Sequence, residues 1–234
     1  MKQRVYNLII LDESGSMGCI QQEAINGVNE TFQTILEAQE NHDDQEHYVT
    51  FVSFNSTILA DKPENITAQE VKKILASSNS RINIVYKNTP VKDVKKISAN
   101  DYQPKGTTPL YDAMGISLTN LERIVGKEDV VLVTVITDGQ ENSSKDYSRS
   151  AIKSLVETLK GKGWIFTYIG ANQDVEKVGA SISINNTLSF SQSDEGTQVM
   201  FERERGCRGR LFDQLAEGHS TDELANNYFD GVEK

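Results

Sequence analysis

The chain has 234 residues, a formal net charge of −10 at pH 7 and an ordinary globular composition, with 37% hydrophobic and 25% charged residues. This length can bury a substantial core, and the acidity argues against nucleic acid or an anionic membrane surface as a partner. No apolar run approaches the roughly 18–20 residues of a membrane span, and the apolar stretch near the start is too short for a secretory signal, so we expect a cytoplasmic protein.

Strands and helices are predicted to alternate along the chain. Continuous or alternating apolar runs predict strands at 5–11, 48–54, 82–86, 129–136 and 164–169, with an extended piece near 188–190. Apolar residues at three- and four-residue spacing predict helices at 20–36, 110–124, 148–160, 175–178 and 195–215, the last interrupted at Gly206 and Gly209. Because the central strands are apolar on both faces, we expect a doubly wound, mostly parallel sheet with helices on both faces.

Three polar loops leave the ends of predicted strands or lie beside them. In chain order they carry Asp12, Ser14 and Ser16, then Thr107 and Thr108, then Asp138. Ligands of doubly wound sheets bind at the carboxyl ends of the strands, and Mg²⁺ prefers oxygen ligands. Two carboxylates and neutral hydroxyls would not fully neutralise the charge of the ion, so its remaining coordination positions would be open to water or to a further carboxylate. The first loop alone has a second interpretation, because Asp12 and Ser14 could simply cap the first helix.

The same residues resemble a known family. Asp12-x-Ser14-x-Ser16, Gly106-Thr-Thr-Pro-Leu110 and Ile136-Thr-Asp138-Gly139 occur in the order of the metal-ion-dependent adhesion site (MIDAS) of von Willebrand factor A (vWA) domains. The resemblance runs from about residue 4 to about residue 170, and the segments 168–172 and 193–197 look like a stand-alone bacterial and phage branch. It implies a Rossmann-like vWA fold with metal contacts from Asp12, Ser14, Ser16, Asp138 and a loop threonine. The family pattern favours Thr108 over Thr107.

The resemblance also suggests how the chain is organised. We expect a vWA domain over residues 1–217, with a C-terminal helix at about 195–217 and a polar, mobile tail at 218–234. The stretch from about 55 to 81 is longer than the usual connection in the family, so we interpret it as an insertion. Thr67 could cap a short helix there that runs to Leu75.

The predicted function is a protein-binding module rather than an enzyme. The resemblance implies that Mg²⁺, with Mn²⁺ or Ca²⁺ as alternatives, captures an Asp or Glu side chain of a partner protein. Two other functions use the same site: a Mg²⁺-dependent hydrolase or phosphotransferase, and a scaffold whose metal is purely structural. The sequence has neither a glycine-rich phosphate loop of standard spacing nor a Ser-His-Asp set, which disfavours the enzyme.

Several other side chains have simpler interpretations. Asp112 could approach the metal loop or favour the dipole of its helix from the first turn. Four arginines between 203 and 210 alternate with glutamates, which predicts a solvated, salt-bridged helix face. The remaining expectations are a solvent-facing Glu13, a core Met17, a packed Cys19, two free thiols at Cys19 and Cys207, and surface positions for His42, His47 and His219.

Overall fold

The computed structural model describes residues 2–57 and 79–231, which contain six strands and six α-helices. The strands are β1 (Gln3–Asp12), β2 (Gln45–Thr57), β3 (Asn79–Pro90), β4 (Val130–Thr137), β5 (Ile165–Gly170) and β6 (Asn186–Ser189). The α-helices are α1 (Gln21–Asn41), α2 (Leu110–Glu122), α3 (Arg149–Lys160), α4 (Val175–Ser181), α5 (Asp194–Ala216) and α6 (Thr221–Leu224), with 3₁₀ turns at Gly15–Ile20 and Val91–Asp93. Among these helices, none is long and apolar enough to cross a membrane.

The six strands form one sheet in the order β3-β2-β1-β4-β5-β6. All neighbours pair in parallel except β2 and β3, which are antiparallel. The chain moves outward from β1 to β3 and then returns to the other side of β1 at β4, so the strand order reverses between β1 and β4. The predicted doubly wound, mostly parallel sheet is confirmed, and ligands of such sheets bind at this reversal.

The core lies in two layers because both faces of the central strands are covered. All eight residues of β4 are buried, as are the last eight of β1. One layer packs α1 and α5 against the sheet, and the other packs α2 and α3 against the opposite face. The apolar spacing that predicted these helices is therefore the stripe that each one buries.

Helix α5 is continuous, so the predicted interruption at Gly206 and Gly209 is wrong. Each glycine costs about 1 kcal/mol of helix propensity relative to alanine. The flanking Cys207 and Arg208 are nevertheless buried against the sheet, and this packing holds the helix through both glycines.

The arginine-rich part of α5 is only partly solvated. Arg208 is fully buried, and its guanidinium binds the Glu204 carboxylate at 2.7 Å. It also donates to Asn7 Oδ1 on β1 and to Thr134 Oγ1 on β4, both at 2.8 Å. The expectation of a solvated, salt-bridged face is wrong for this pair, because the i, i+4 spacing directs both side chains to the sheet.

The segment that follows α5 also differs from the expected mobile tail. Helix α6 begins with a capping box between Ser220 and Glu223. Tyr228 and Phe229 are buried, and the Arg210 guanidinium donates to the Tyr228 carbonyl at 2.7 Å. This segment is therefore packed against α5 as far as Gly231. The predicted helix at 67–75 lies outside the described residues, as does most of the predicted insertion.

His47 is buried, so its expected surface position is wrong. It lies on β2 beneath α5, with its ring edge-to-face against Phe212 at a centroid distance of 4.5 Å. Its Nε2 shares a hydrogen bond of 2.8 Å with Gln45 Oε1. Burial, with a smaller contribution from the charge of Arg208, lowers the pKa of His47 to about 3.

Candidate metal centre

The three polar loops meet at the carboxyl edge of the sheet, beside the strand-order reversal. Asp12 ends β1 and Thr137 ends the adjacent β4, so the loops that follow them are neighbours. The loop before α2 reaches the same place. We use the name oxygen cluster for the side-chain oxygens of Asp12, Ser14, Ser16, Thr108 and Asp138.

A direct hydrogen bond joins the first and third loops, and further contacts order the first loop itself. The Ser16 hydroxyl donates to Asp138 Oδ1 at 2.8 Å, and the Ser14 and Ser16 hydroxyl oxygens lie 3.1 Å apart. Asp12 Oδ1 accepts from the Ser14 backbone N–H at 2.7 Å, which fixes the turn of the first loop. The structure thus brings four of the five predicted ligands into one connected group.

Gly139 shows where the fifth ligand joins them. A Cβ built on this glycine would lie 3.2 Å from Thr108 Oγ1 and 3.9 Å from both Asp12 Oδ2 and Ser16 Oγ. Oxygens of the first and second loops therefore line a space beside Gly139, the neighbour of Asp138 in the third loop, and a side chain at position 139 would fill it. This space is small and polar, as a site for a single ion requires.

The two threonines of the second loop have different surroundings. The Thr107 hydroxyl binds Ser56 Oγ at 2.5 Å and donates to Ser143 Oγ at 2.8 Å, so it ties the loop to its neighbours. The Thr108 backbone N–H is held by Asn142 Oδ1 at 2.9 Å, and its hydroxyl faces Gly139. The structure places Thr108, and not Thr107, in the oxygen cluster.

Both aspartates of the cluster are removed from water. Asp12 is 0% exposed and Asp138 is 2% exposed. Burial raises the pKa of Asp12 to about 7, even though hydrogen bonds from Thr137 and Ser14 act in the opposite direction. Burial also raises the pKa of Asp138. Within residues 2–57 and 79–231 neither carboxylate has an ion-pair partner, and a bound divalent cation would offset the cost of burying them.

The donor set consists of two carboxylates and three hydroxyls. In the part of the chain that the structure describes, no group of three or more His, Cys, Asp or Glu side chains is arranged to hold a metal. Any ion in the oxygen cluster would therefore depend on its hydroxyls. Oxygen-only ligands fit a hard cation such as Mg²⁺ or Ca²⁺ better than a soft one.

Glu13 and Met17, which lie in the first loop beside the predicted ligands, are both directed into the protein. Met17 is buried, as expected, but Glu13 is buried too, so its predicted solvent-facing position is wrong. The Glu13 carboxylate accepts from the Ser53 hydroxyl at 2.9 Å and from the Gln103 backbone N–H at 2.5 Å. It thereby joins the first loop to β2 and to the loop before α2.

Asp112 lies outside the oxygen cluster, although it was a candidate to approach it. Its Oδ1 accepts from the backbone N–H groups of Asp146 and Tyr147, both at 2.9 Å. Its Oδ2 accepts from the Ser80 hydroxyl at 2.5 Å and from the Lys145 N–H at 2.9 Å. Burial alone would raise the pKa of Asp112, but these bonds lower it, so this carboxylate serves to anchor a loop.

Three side chains around the cluster were absent from the sequence-based site. The Thr137 hydroxyl donates to Asp12 Oδ2 at 2.6 Å, and the Tyr102 hydroxyl donates to the Asp12 carbonyl at 2.6 Å. Gln192, between β6 and α5, donates from Nε2 to Asp138 Oδ2 and to the Ser16 carbonyl. Thr137 lies inside the Ile-Thr-Asp-Gly pattern and could have been inferred, whereas no local pattern singles out Tyr102 or Gln192.

The two cysteines are free, as expected, but they differ in exposure. Cys207 is buried in α5. Cys19 is exposed, so its expected packing is wrong, and its thiol donates to the Ser16 carbonyl at 3.3 Å. It lies on the outer side of the 3₁₀ turn, where Met17 and Ile20 take the buried positions.

Comparisons with solved structures support the fold. The pilus adhesin SpaC from Lactobacillus rhamnosus GG, in an open conformation, is similar over 94% of this chain and 31% of its own, with 12% identity and a TM-score of 0.57. Proximal thread matrix protein 1 from the mussel byssus, with a zinc-occupied MIDAS motif, is similar over 92% of this chain and 46% of its own, with 14% identity and a TM-score of 0.50. The D319A mutant of the PilB minor pilin from Streptococcus sanguinis is similar over 100% of this chain and 64% of its own, with 14% identity and a TM-score of 0.50.

This chain thus spans less than two thirds of each of these three proteins. At 12–14% identity the likeness establishes a shared fold and nothing finer. No protein-family model and no curated protein matches the sequence.

Proposed function

We propose that this chain is a vWA-type domain whose oxygen cluster binds Mg²⁺ and uses it to capture an Asp or Glu side chain of a partner protein. Two observations carry this proposal: oxygens of the first and second loops lie together beside Gly139, and the Ser16 hydroxyl binds Asp138 in the third loop. A helix cap would require only the first loop. It would not account for Thr108 and Asp138 beside Ser16.

The number of protein ligands supports capture of a further group. Asp12, Ser14, Ser16, Thr108 and Asp138 would hold the ion, and Mg²⁺ takes about six oxygen ligands. Five protein oxygens leave room for water or an incoming carboxylate. The bound ion would supply a concentrated positive charge on a chain whose formal net charge is −10. Mn²⁺ and Ca²⁺ accept the same donors and are alternative occupants.

The solved structures with the same fold are compatible with this function. One is a pilus adhesin, and another has a MIDAS motif occupied by zinc. We extend from them only the proposal of a metal-dependent adhesion-type module. The acidic residue of the partner is inferred from the chemistry of the oxygen cluster.

Hydrolysis at the same site has less support, because the nearby carboxylates are occupied. Glu141 Oε1 accepts from the Ser143 and Ser144 backbone N–H groups at 2.8 and 2.7 Å, and its Oε2 accepts from the Tyr111 N–H at 2.9 Å. Glu13 is held by Ser53 and Gln103 as described above. A general base must reach the proton that it accepts, whereas these bonds hold both carboxylates against backbone N–H groups of the protein itself.

The experiment combines metal titration with partner capture. Isothermal titration calorimetry with Mg²⁺ and Mn²⁺ should show one site per chain that Ser14→Ala weakens, while the exposed control Ser150→Ala binds like wild type. Partners recovered from native lysate in Mg²⁺ should be lost in EDTA and with Ser14→Ala. Recovery of the same partners under all three conditions would refute metal-dependent capture, and Mg²⁺-dependent phosphoester hydrolysis abolished by Asp138→Ala would favour the enzyme.

A further inference from the structure

The Gln192 side chain is fixed at the edge of the oxygen cluster by its own hydrogen bonds. Its Nε2 donates to Asp138 Oδ2 and, at 2.9 Å, to the Ser16 carbonyl. Its Oε1 accepts from Asn172 Nδ2. Both N–H groups and the carbonyl of the carboxamide therefore have hydrogen-bond partners, although the adjacent Ser191 and Ser193 are exposed.

These contacts join loops that follow four of the parallel strands. Ser16 follows β1, Asp138 follows β4, Asn172 follows β5 and Gln192 itself follows β6. Asn172 adopts the left-handed backbone conformation, with φ of 56°, which few residues other than glycine, asparagine and aspartate adopt readily. One carboxamide thus sets the relative position of two loops that contribute ligands to the cluster.

The two oxygens of Asp138 have different partners. Oδ1 accepts from the Ser16 hydroxyl, a predicted ligand, whereas Oδ2 accepts from Gln192. With both oxygens held, the carboxylate plane cannot rotate without breaking one of the bonds. Groups that orient a metal ligand in this way commonly change metal affinity by about 10–100-fold when they are removed.

We propose that Gln192 is a positioning residue of the metal centre: it orients Asp138 and fixes the Ser16 backbone so that the oxygen cluster is arranged before the ion arrives. This inference rests on the proposed function, because it assumes that the cluster binds a metal. Gln192 is not itself a ligand, since its oxygen is directed to Asn172 and its amide nitrogen is a donor with no lone pair available for a metal. Its role depends on the hydrogen bonds that its N–H groups donate, so a side chain of equal length without N–H groups should not replace it.

The test measures Mn²⁺ affinity by calorimetry for wild type, Gln192→Ala and Gln192→Met. Methionine keeps the length of the side chain but removes both donors, so both variants should bind Mn²⁺ about 10–100-fold more weakly. Gln198→Ala is the matched control: it removes a glutamine of α5 whose amide donates to Glu23 at 2.9 Å, on the helix surface. Its Mn²⁺ affinity should equal that of wild type.

Thermal unfolding in EDTA separates positioning from a merely structural role. If the Gln192 variants unfold at lower temperature but bind Mn²⁺ as wild type does, the positioning role is refuted while the metal centre stands. Tighter binding by either variant would show that the amide competes with the ion, which also refutes it. If wild type binds no Mn²⁺, the proposed function fails, and this inference fails with it.

Discussion

Replacing Arg208 with methionine should destabilise the protein severely, because it breaks a buried ion pair. Arg208 is 0% exposed, and its guanidinium binds Glu204 at 2.7 Å and both Asn7 and Thr134 at 2.8 Å. Tyr228 donates a further hydrogen bond of 3.0 Å to Glu204. The substitution keeps similar bulk but leaves the Glu204 carboxylate buried without its cation.

The expected cost is about 3–5 kcal/mol, which is the usual effect of removing one partner of a buried pair. Whole domains are stable by only about 5–15 kcal/mol, so this change removes a large share of the stability. For a chain of this size each kcal/mol shifts the melting temperature by about 2–4 °C. The comparable change at Arg205, whose pair with Glu30 at 2.9 Å is partly exposed, should cost at most about 1 kcal/mol.

Urea denaturation of four proteins tests this reasoning: wild type, Arg208→Met, Glu204→Met and the double variant. Removing both charges leaves no unpaired ion, so the double variant should be less destabilised than the sum of the single variants by more than 1 kcal/mol, on the order of the coupling found between contacting residues. Additive effects, or a loss below about 1 kcal/mol for Arg208→Met alone, would refute the account of this network.

Three further predictions concern His47, Gly139 and Gly27. Burial lowers the pKa of His47 to about 3, so below pH 6.5 the unfolded chain binds a proton at this side chain and the folded protein does not. The free energy of unfolding therefore falls as the pH drops. In urea denaturation, wild type should lose about 2 kcal/mol more stability than His47→Gln between pH 7 and 5, and parallel pH profiles of the two proteins would contradict this. Gly139→Ala puts a methyl group 3.2 Å from Thr108 Oγ1 and should weaken Mn²⁺ binding with little change of unfolding in EDTA, so unchanged affinity would count against the cluster. Gly27→Ala puts Cβ 2.1 Å from the Phe201 ring, so it should lower the free energy of unfolding measured in urea by about 1–3 kcal/mol. If the higher helix propensity of alanine instead made the protein more stable, α1 and α5 would be packed more loosely than the structure shows.

The sequence was sufficient to predict the fold because its central strands carry an unambiguous signal. The runs 5–11 and 129–136 are apolar except for Asn7, Asp129 and Thr134. Such nearly continuous apolar runs occur where both faces of a strand are covered, and the two strands lie side by side at the centre of the sheet. The loops that follow them could then be assigned to one edge. The proximity of Ser16 to Asp138 follows from this topology alone.

The side chains that were missed or misplaced depend on contacts between distant parts of the chain. Glu13 is polar and next to a glycine-bearing loop, and only its bonds to Ser53 and Gln103 explain its burial. Arg208 looks like one more charge on an arginine-rich helix until Asn7 and Thr134 are found opposite it. The local sequence pattern shows which face of a helix or strand is apolar, but it does not show which polar side chain lies opposite that face on the neighbouring element.

The most direct test of the proposed metal centre is a crystal structure of the protein with Mn²⁺, using the anomalous signal of the ion. We predict one anomalous peak beside Gly139, with the Ser14 and Ser16 hydroxyls about 2.1 Å from the ion, the distance expected for a small hard cation. Asp12 and Asp138 should lie on either side of it. Absence of a peak at this position at saturating Mn²⁺, or a single peak held by other residues, would contradict the proposal.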